Sequence, residues 1–219
     1  MKAKMPNVLL TGFEPFGGEH VNPSHEIVRA LAGTVIAGHR VVAATLPTEF
    51  ARVSAELDAL IRRHRPVLVL ATGQAGGRAE ISLERVAINL IDARIPDNAG
   101  AQPVDVPVVA GAPDAYFSTL PLKAMLRALQ ATHIPAALSH SAGTFVCNQV
   151  FYALAHRLAL GRRKVRGGFV HVPYLPQQAA RHDGAPSLPL ATMIDAIRIC
   201  LETALFVRDD AVFAAGATH

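Results

Sequence analysis

The sequence predicts an α/β fold in which helices cover a buried, largely parallel sheet. Short apolar or β-branched runs bounded by turn residues alternate along the chain with stretches whose apolar residues recur at helical spacing. The run at 67–70 (VLVL) is apolar throughout, which is typical of a strand covered on both faces. With 219 residues, 51% of them apolar and 17% charged, the chain is expected to form one domain, residues 1–219.

The predicted strands are short runs that end at glycine, proline or polar turn residues. Because helical patterns separate several of these runs, a mostly parallel sheet is favoured over a set of hairpins. In chain order the predicted strands cover residues 8–11, 40–46, 67–72, 85–91, 136–140 and 168–172.

Helical spacing recurs between the predicted strands. In the segment 49–64, apolar residues from Phe50 to Ile61 return to one face every three or four positions. The segment 92–116 has no periodicity and is predicted to be a long loop, a kind of segment that often carries function. In chain order the predicted helices cover residues 24–31, 49–64, 121–132, 148–160 and 190–206.

Two of these helices begin with recognisable signals. Asn22 precedes Pro23 and Thr119 precedes Pro121, so each start offers a capping side chain and a proline that fits the first turn. We therefore expect Asn22 and Thr119 to cap the helices that follow them.

The chain is basic, with a formal net charge of +4 at pH 7. Its two basic runs, 62–65 and 162–164, lie where helices are expected to end, so they suit the negative end of a helix dipole. Aromatic residues are not interleaved with these charges, as a nucleic-acid-binding surface would require. No nucleic-acid partner is expected.

The sequence predicts a cytoplasmic protein with no membrane association. No segment approaches the roughly 18 to 20 apolar residues that a membrane-spanning helix needs. Residues 1–6 carry charge but are followed by only a short apolar run, so no signal peptide is expected. Two cysteines are too few for a disulfide framework, which suits a reducing compartment.

Cys147 is the first candidate for chemistry. It follows a glycine-containing turn at 141–146 and precedes the predicted helix at 148–160, so its thiol is expected at a helix N-terminus. There the dipole and free backbone N–H groups favour thiolate over thiol, and they could bind the oxyanion that forms when an acyl carbon is attacked. Cys200 stands inside an apolar run, which is typical of a buried and unreactive cysteine.

His171 lies near the carboxyl end of the predicted strand 168–172, at the edge where open α/β sheets place their sites. A neutral imidazole there could accept a proton from Cys147 and return one to a leaving amine. A hydrogen-bonded structural role is the alternative. Ten histidines are present, but none forms a spacing typical of zinc ligands, so neither a metal nor a cofactor is expected.

A glycine-rich turn at 73–78 follows the most apolar strand. It lacks the G-x-G-x-x-G spacing and is followed by a strand-like run, which argues against a dinucleotide site. An acid beside this turn could orient an imidazolium as the third member of a triad. Glu84 and Glu80 both meet that description, and spacing does not choose between them. An ordinary ion pair of Glu84 with Arg85 or Arg78 is the alternative.

Two phenylalanines, Phe13 and Phe16, stand on a glycine-rich loop at 12–18 after the first strand. Their rings could present flat faces to a small planar ligand whose orientation nearby backbone groups would fix. They could equally close one end of the hydrophobic core.

Four ordered motifs together resemble the pyroglutamyl peptidase I family, also called the pyrrolidone carboxyl peptidases. The motifs follow the family in order and spacing from residue 8 to about 180, and the resemblance fades after that, where 181–190 carries extra glycine and proline. The four segments are 10–18 (LTGFEPFGG), 76–89 (GGRAEISLERVAIN), 141–148 (SAGTFVCN) and 169–173 (FVHVP).

The resemblance implies a three-layer α/β/α sandwich with a twisted, largely parallel central sheet. It also implies a metal-free cysteine exopeptidase that hydrolyses the amide bond after an N-terminal pyroglutamyl residue of peptides, acts in the cytosol and is often a homotetramer. It selects Glu84 over Glu80 as the third member of a triad with Cys147 and His171.

For the substrate, the resemblance implies that Phe13 and Phe16 sandwich the lactam ring, that Gln74 lies near it, and that Arg94 lies close to the developing oxyanion. Two other functions remain open from sequence. A binding module could hold small cyclic ligands in the same pocket beside an incidental cysteine. A nucleoside phosphorylase-like transferase would need a phosphate site, and the sequence offers no clear one.

Overall fold

A central sheet of seven strands organises the fold in the computed structural model, which describes residues 5–216. The sheet has the order β2-β3-β1-β4-β9-β5-β8, and β6 pairs with β7 in a separate two-stranded sheet. Within the central sheet, only β2 against β3 and β5 against β9 are antiparallel. The predicted largely parallel sheet is confirmed. The strands are β1 (Asn7–Phe13), β2 (Val35–Ile36), β3 (His39–Leu46), β4 (Leu68–Gln74), β5 (Ile81–Glu84), β6 (Val86–Ile88), β7 (Ala115–Phe117), β8 (Ala136–Ser139) and β9 (Arg166–Val172).

Helices cover both faces of this sheet. They are α1 (Pro23–Leu31), α2 (Val53–His64), α3 (Leu122–Ala131), α4 (Val146–Leu160), α5 (Pro176–Ala179) and α6 (Leu190–Phe206). α1, α3 and α6 pack with Val8 and Leu10 of β1 in one hydrophobic cluster, while α2 and α4 pack with Leu9 and Phe13 in another. Since successive strand residues point to opposite faces, one strand contributes to both cores. The fold is the predicted three-layer α/β/α sandwich.

The strand predicted at 85–91 is wrong in its extent and its position. Only Val86–Ile88 is strand, and it pairs with β7 outside the central sheet. The residues just before it form β5, which was not predicted and which lies between β8 and β9. Ser82 and Glu84 of β5 are polar yet buried. A strand that buries polar side chains does not show the apolar run by which the other strands were recognised.

The helix predicted at 49–64 begins four residues later, at Val53. The backbone N–H of Phe50 donates to the carboxylate of Asp97 at 2.8 Å, and the Phe50 carbonyl accepts from the side chain of Gln149 at 2.9 Å. These two long-range bonds hold the segment before α2 as a turn. The helix predicted at 190–206 has the observed bounds of α6.

Of the two predicted caps, the first is confirmed and the second is wrong. The Asn22 side chain accepts from the Ser24 N–H at 3.0 Å at the start of α1. The Thr119 hydroxyl instead bonds to the backbone of Gly167 on β9. The start of α3 is capped from far along the chain, because the carboxylate of Asp210 accepts from the N–H groups of Lys123 and Ala124 at 3.1 and 2.9 Å.

We expect Asp210→Ala to lower the free energy of unfolding by about 1 kcal/mol, the usual cost of removing a helix cap, because two N–H groups of α3 lose their acceptor. Asp209→Ala is the matched control, since Asp209 is an exposed neighbour of the same charge. Chemical denaturation of both variants measures the difference, and equal stability of the two would contradict the capping role.

The two basic runs come together at the end of the sheet where β9 begins. Residues of both runs line a cavity of about 290 Å³. Five arginines contribute to its wall, among them Arg62 and Arg162. Among residues 5–216, no helix is long and apolar enough to cross a membrane. Positions 1–4, part of the segment on which the absence of a signal peptide was predicted, lie outside the described residues.

Candidate active site

Cys147 is the second residue of α4, as the local sequence predicted. The helix is preceded by Phe145, which has an extended backbone and no side chain able to cap it. The first intrahelical bond is donated by the Gln149 N–H to the Phe145 carbonyl at 3.2 Å. The N–H groups of Val146, Cys147 and Asn148 therefore precede the hydrogen-bonded ladder and remain available to a ligand.

Asn148 holds this first turn in place. Its side chain is fully buried, accepts from the Ile88 N–H at 3.0 Å, and donates to the carbonyls of Ile88 and Leu90 at 2.9 Å each. The preceding loop is held in the same way, because Thr144 and Asp92 exchange two hydrogen bonds at 2.7 and 3.0 Å. The position of the thiol is therefore set by bonds to β6 and to the chain that follows it.

The sulfur lies against the end of β4, beside β9. A Cβ atom added to Gly73 would lie 2.9 Å from the Cys147 Sγ, so the glycine leaves the space that the sulfur occupies. Gly73 is the register partner of His171 across the β4–β9 ladder. Paired residues direct their side chains to the same face of a sheet, so the imidazole and the sulfur lie on one face. Both side chains line the same cavity.

Glu84 lies against the imidazole. Its Oε1 is 2.7 Å from Nδ1 of His171, and the carboxylate is 0% exposed. A carboxylate only accepts, so Nδ1 carries the proton and the lone pair of the neutral ring is on Nε2. Nε2 has no hydrogen-bond partner among residues 5–216, so transfer of a proton from Sγ requires the two groups to close on each other. Of the two acids that spacing left open, the structure brings Glu84 to His171 and not Glu80.

Arg78 completes the contacts of this carboxylate. Its guanidinium donates to Glu84 Oε1 at 2.6 Å and to the Ser141 carbonyl at 2.9 Å, so the ion pair considered from sequence coexists with the histidine contact. Burial by itself raises the pKa of Glu84, but the hydrogen bond and charge of His171, with Ser139 and Arg78, hold that pKa below its usual range. The acid is therefore ionised at neutral pH, although its Oε2 is buried without a partner.

The electrostatics of the thiol differ from the expectation based on the helix N-terminus. Burial raises the pKa of Cys147 to about 12, the charge of Glu84 adds to that effect, and Arg78 opposes it. The substrate-free site therefore holds a thiol rather than the predicted thiolate. Ionisation of the sulfur must be coupled to arrival of its proton on a neighbouring base.

The cavity that contains these groups has a volume of about 420 Å³. It opens at the carboxyl ends of β4 and β9, where Gln74 and His171 lie, in keeping with the usual position of sites in parallel sheets. Two arginines, Arg78 and Arg94, and one aspartate, Asp92, are among the residues that line it. The remaining lining is uncharged, apart from the imidazole, which suits a neutral ligand.

The aromatic wall differs from the one expected. Phe16 lines the cavity, but Phe13 is only 2% exposed, packs against Phe169 and does not line it. Phe13 shares the face of β1 that carries Leu9, so strand alternation directs its ring into the core under α2 and α4. The second aromatic ring at the cavity is Phe145, whose centroid is 6.1 Å from that of Phe16. Sequence reasoning missed Phe145, although it stands two residues before the predicted nucleophile.

The loop predicted at 92–116 contributes to the cavity through Asp92, Arg94 and Ile95. It contains no helix, and its one pairing before β7 is an isolated bridge between Ile91 and Val106. The carboxylate of Asp97 holds its first turn by accepting three backbone N–H groups, including that of Phe50. Among residues 5–216, no cluster of three or more histidine, cysteine or acidic side chains could hold a metal ion.

Comparison with known proteins identifies what this arrangement resembles. A family model described as pyroglutamyl peptidase matches residues 6–206. The pyrrolidone-carboxylate peptidases of Escherichia fergusonii and Cupriavidus taiwanensis are 55% and 56% identical to this chain over 215 and 216 residues, and each alignment covers 98% of this chain and 100% of the relative. The match continues past residue 180, so the predicted fading of the resemblance there is wrong.

Solved structures agree with these relatives. Pyroglutamyl peptidase I from Bacillus amyloliquefaciens superposes with a TM-score of 0.93 at 44% identity, covering 96% of this chain and 100% of that one. Pyrrolidone carboxyl peptidase from the hyperthermophile Pyrococcus furiosus superposes with a TM-score of 0.88 at 40% identity, covering 91% and 98%.

Proposed function

This chain belongs to the pyroglutamyl peptidase family, and we propose that Cys147, His171 and Glu84 form the catalytic centre with which it removes N-terminal pyroglutamate from peptides. Family membership decides against the binding module and the phosphorylase-like transferase that sequence left open. The observation that carries the residue assignment is that the buried Glu84 carboxylate lies 2.7 Å from His171. His171 in turn pairs across the sheet with Gly73, the glycine against which the Cys147 sulfur lies.

In the first half of the reaction, His171 Nε2 takes the proton of Cys147, and the thiolate attacks the carbonyl carbon that joins pyroglutamate to the next residue. The tetrahedral intermediate collapses as the C–N bond breaks, His171 gives its proton to the departing amine, and a thioester to Cys147 remains. Glu84 holds the ring with Nδ1 protonated and offsets the imidazolium charge while it exists.

In the second half, water loses a proton to His171 and attacks the thioester carbonyl. Collapse breaks the C–S bond, the sulfur recovers the proton, and free pyroglutamate leaves. In both halves the negative oxygen is stabilised by the unpaired N–H groups at the start of α4, with Arg94 as a further cation at the cavity. Because Cys147 has a raised pKa, attack and proton transfer are coupled steps.

The cavity also accounts for the choice of a lactam. A peptide with an ordinary N-terminus would bring an ammonium group into a cavity whose two arginines, Arg78 and Arg94, outnumber its one aspartate, Asp92. The lactam nitrogen carries no charge, so it avoids that repulsion and the cost of burying an unpaired ion. Phe16 and Phe145 offer apolar faces to the ring.

We further propose that the enzyme acts in the cytoplasm as one catalytic domain per chain and assembles into a homotetramer. Both cysteines are free, which suits a reducing compartment and the need for a thiol nucleophile. Phe117 of β7 and Val104 of the long loop are exposed apolar side chains, which supports association between subunits.

The decisive assay compares amine release from a pyroglutamyl amide and from the matching prolyl amide. We expect the pyroglutamyl amide to react at least about 10³-fold faster, because the prolyl ring lacks the lactam carbonyl and carries a charged amine. Comparable rates would contradict the substrate assignment. If the protein shows no turnover and still binds pyroglutamate after alkylation of Cys147, the binding-module hypothesis would be favoured instead.

A further inference from the structure

We propose that the end of the molecule opposite the active site binds a linear chain of phosphate groups, inorganic polyphosphate, through the arginines that line three adjoining cavities. The inference goes beyond the proposed function and does not depend on it, because none of the residues involved belongs to the catalytic site.

The three cavities lie where the parallel strands of the central sheet begin. The first, of about 290 Å³, is lined by the last turns of α2 and α4. The second, of about 450 Å³, shares Arg65 and Arg163 with the first. The third, of about 490 Å³, shares Val67 with the second and reaches Leu205 of α6, on the other side of the sheet. The three cavities together are called the basic face.

The lining of the basic face carries positive charge and no negative charge. Nine of its residues are arginine or lysine, two are histidine, and none is aspartate or glutamate. Asp58, which lies outside the lining, pairs with Arg62 and Arg157. Among residues 5–216, the other seven arginines and lysines of the basic face form no ion pair.

Helix dipoles account for only part of this charge. α2, α4 and α6 all end at the basic face, and because each helix C-terminus is equivalent to about half a negative charge, roughly five of the seven unpaired positive charges remain unbalanced. The carbonyls at the end of α2 already have partners. The Asn7 side chain donates to the His64 carbonyl at 3.0 Å, and Arg163 donates to the Arg65 carbonyl at 3.2 Å.

Two features of the basic face are unfavourable for the fold by itself. Arg65 ends α2 with φ 46° and ψ 51°, in the left-handed region that glycine adopts at lower cost. Burial and the charge of Arg208 lower the pKa of Arg166, so these two guanidinium groups repel each other. Strain and repulsion of this kind are typical of residues kept for a ligand, and a bound anion would remove the repulsion.

The chemistry of the lining favours phosphate over other anions. Eight of the nine cations are arginine, whose planar guanidinium group donates two parallel hydrogen bonds to a phosphate. No phenylalanine, tyrosine or tryptophan lines the basic face, so the bases of a single-stranded nucleic acid would find no stacking partner. Arginine and lysine only donate, so they leave the backbone N–H groups of an acidic peptide without acceptors. A polyphosphate presents acceptor oxygens along its whole length.

A ligand on the basic face leaves the active-site cavity open. β4 begins at Leu68, which lines the third cavity, and ends at Gln74, which lines the active-site cavity. At about 3.3 Å per strand residue, the two ends are about 20 Å apart. The protein is therefore able to hold polyphosphate at one end of the sheet and a peptide at the other.

The first test removes three cations in the variant Arg65→Gly/Arg162→Gln/Lys164→Gln. None of these three side chains forms a hydrogen bond among the described residues, so the fold is expected to persist. Titration calorimetry with inorganic polyphosphate at several salt concentrations should give a Kd at least about tenfold higher than that of wild type. The slope of log Kd against log salt concentration should decrease by about two, because each lost phosphate contact removes about 0.7 from it. An unchanged Kd would overturn the proposal.

The matched control is Arg29→Gln/Arg52→Gln/Arg127→Gln, which makes the same change in net charge at exposed positions outside the basic face. Its Kd should stay within about twofold of the wild-type value. Equal weakening in the two triple variants would show that net charge alone attracts the polyanion, and the proposed site would be wrong. Hydrolysis of a pyroglutamyl amide should match wild type in both variants, since neither alters the active-site cavity.

Arg65→Gly alone tests whether this arginine serves a ligand or the fold. Glycine adopts the left-handed conformation without strain, so the thermal unfolding midpoint should stay the same or rise while the Kd for polyphosphate increases. A lower midpoint with an unchanged Kd would show that Arg65 serves the fold, contrary to the proposal.

Three further probes test the identity of the ligand. Orthophosphate, a single-stranded oligonucleotide with the same number of phosphates, and poly-glutamate of the same charge should each bind wild-type protein at least about tenfold more weakly than polyphosphate. Equal binding of the oligonucleotide or of poly-glutamate would overturn the assignment in favour of a nucleic acid or an acidic protein. Equal binding of orthophosphate would show that a single anion, and not a chain, is recognised.

Discussion

Cys147→Ser is expected to lower kcat for a pyroglutamyl amide by on the order of 10⁴-fold or more, with little change in KM. The serine hydroxyl is smaller and far less acidic than the thiol, so the histidine deprotonates it less readily. The resulting alkoxide oxygen is also a poorer match to the site than the sulfur, so attack on the substrate is slower. The aromatic wall formed by Phe16 and Phe145 is unaltered, so ground-state binding persists. Steady-state kinetics with active-site titration measures both parameters.

The matched control for this variant is Cys200→Ser. Cys200 lies on the buried face of α6 and is 0% exposed, and burial alone raises its pKa to about 12. The Cys200→Ser enzyme should therefore keep full activity. In wild-type protein, iodoacetamide should modify Cys147 in preference to Cys200. A Cys147→Ser enzyme that retained most of its turnover would show that another group attacks the substrate.

His171→Ala is expected to lower kcat/KM by about 10³- to 10⁴-fold and to change how alkylation of Cys147 depends on pH. Burial raises the pKa of the Cys147 thiol to about 12, so without a base to accept its proton only a very small fraction of the thiol is ionised at pH 7. In wild type the imidazole accepts the proton as the sulfur attacks the reagent, so the alkylation rate should be appreciable at neutral pH and change little above it. In His171→Ala the rate should rise about tenfold per pH unit, up to the raised pKa of the thiol.

The sign of this pH effect follows from the charge of the reactive form. Thiolate is the reacting species, so a pKa raised by burial moves reactivity to higher pH, and a base beside the sulfur moves it back. His20→Ala, at an exposed histidine, should keep the wild-type profile. If His171→Ala also kept it, the helix N-terminus alone would be sufficient to ionise the sulfur.

The position of the nucleophile could be predicted because it depends on short stretches of chain. A glycine turn followed by helical spacing placed Cys147 at a helix start, and an apolar run placed His171 at the end of a strand. Short apolar runs separated by helical patterns likewise predicted most strands of the central sheet and its largely parallel order. The motifs were required to choose Glu84 over Glu80, because two acids four residues apart look alike in sequence.

Other features depend on residues that are distant in the chain. The Phe13 ring points into the core because β1 is covered on both faces. Phe145, and not Phe13 as predicted, is the second aromatic ring beside Phe16. Asp210 caps α3 from 86 positions away in the sequence, although Thr119 lies only three residues before that helix. Burial beside a carboxylate reverses the effect that a helix N-terminus alone has on the thiol pKa.

The sequence by itself determined the fold class, the family and the local setting of the sulfur and the imidazole, because apolar periodicity and turn chemistry act over a few neighbouring residues. Only the tertiary structure decided which side chains line the cavity, which acid contacts the imidazole, and how far burial suppresses the thiolate. Those properties depend on hydrogen bonds and desolvation between segments that meet only when the sheet is complete.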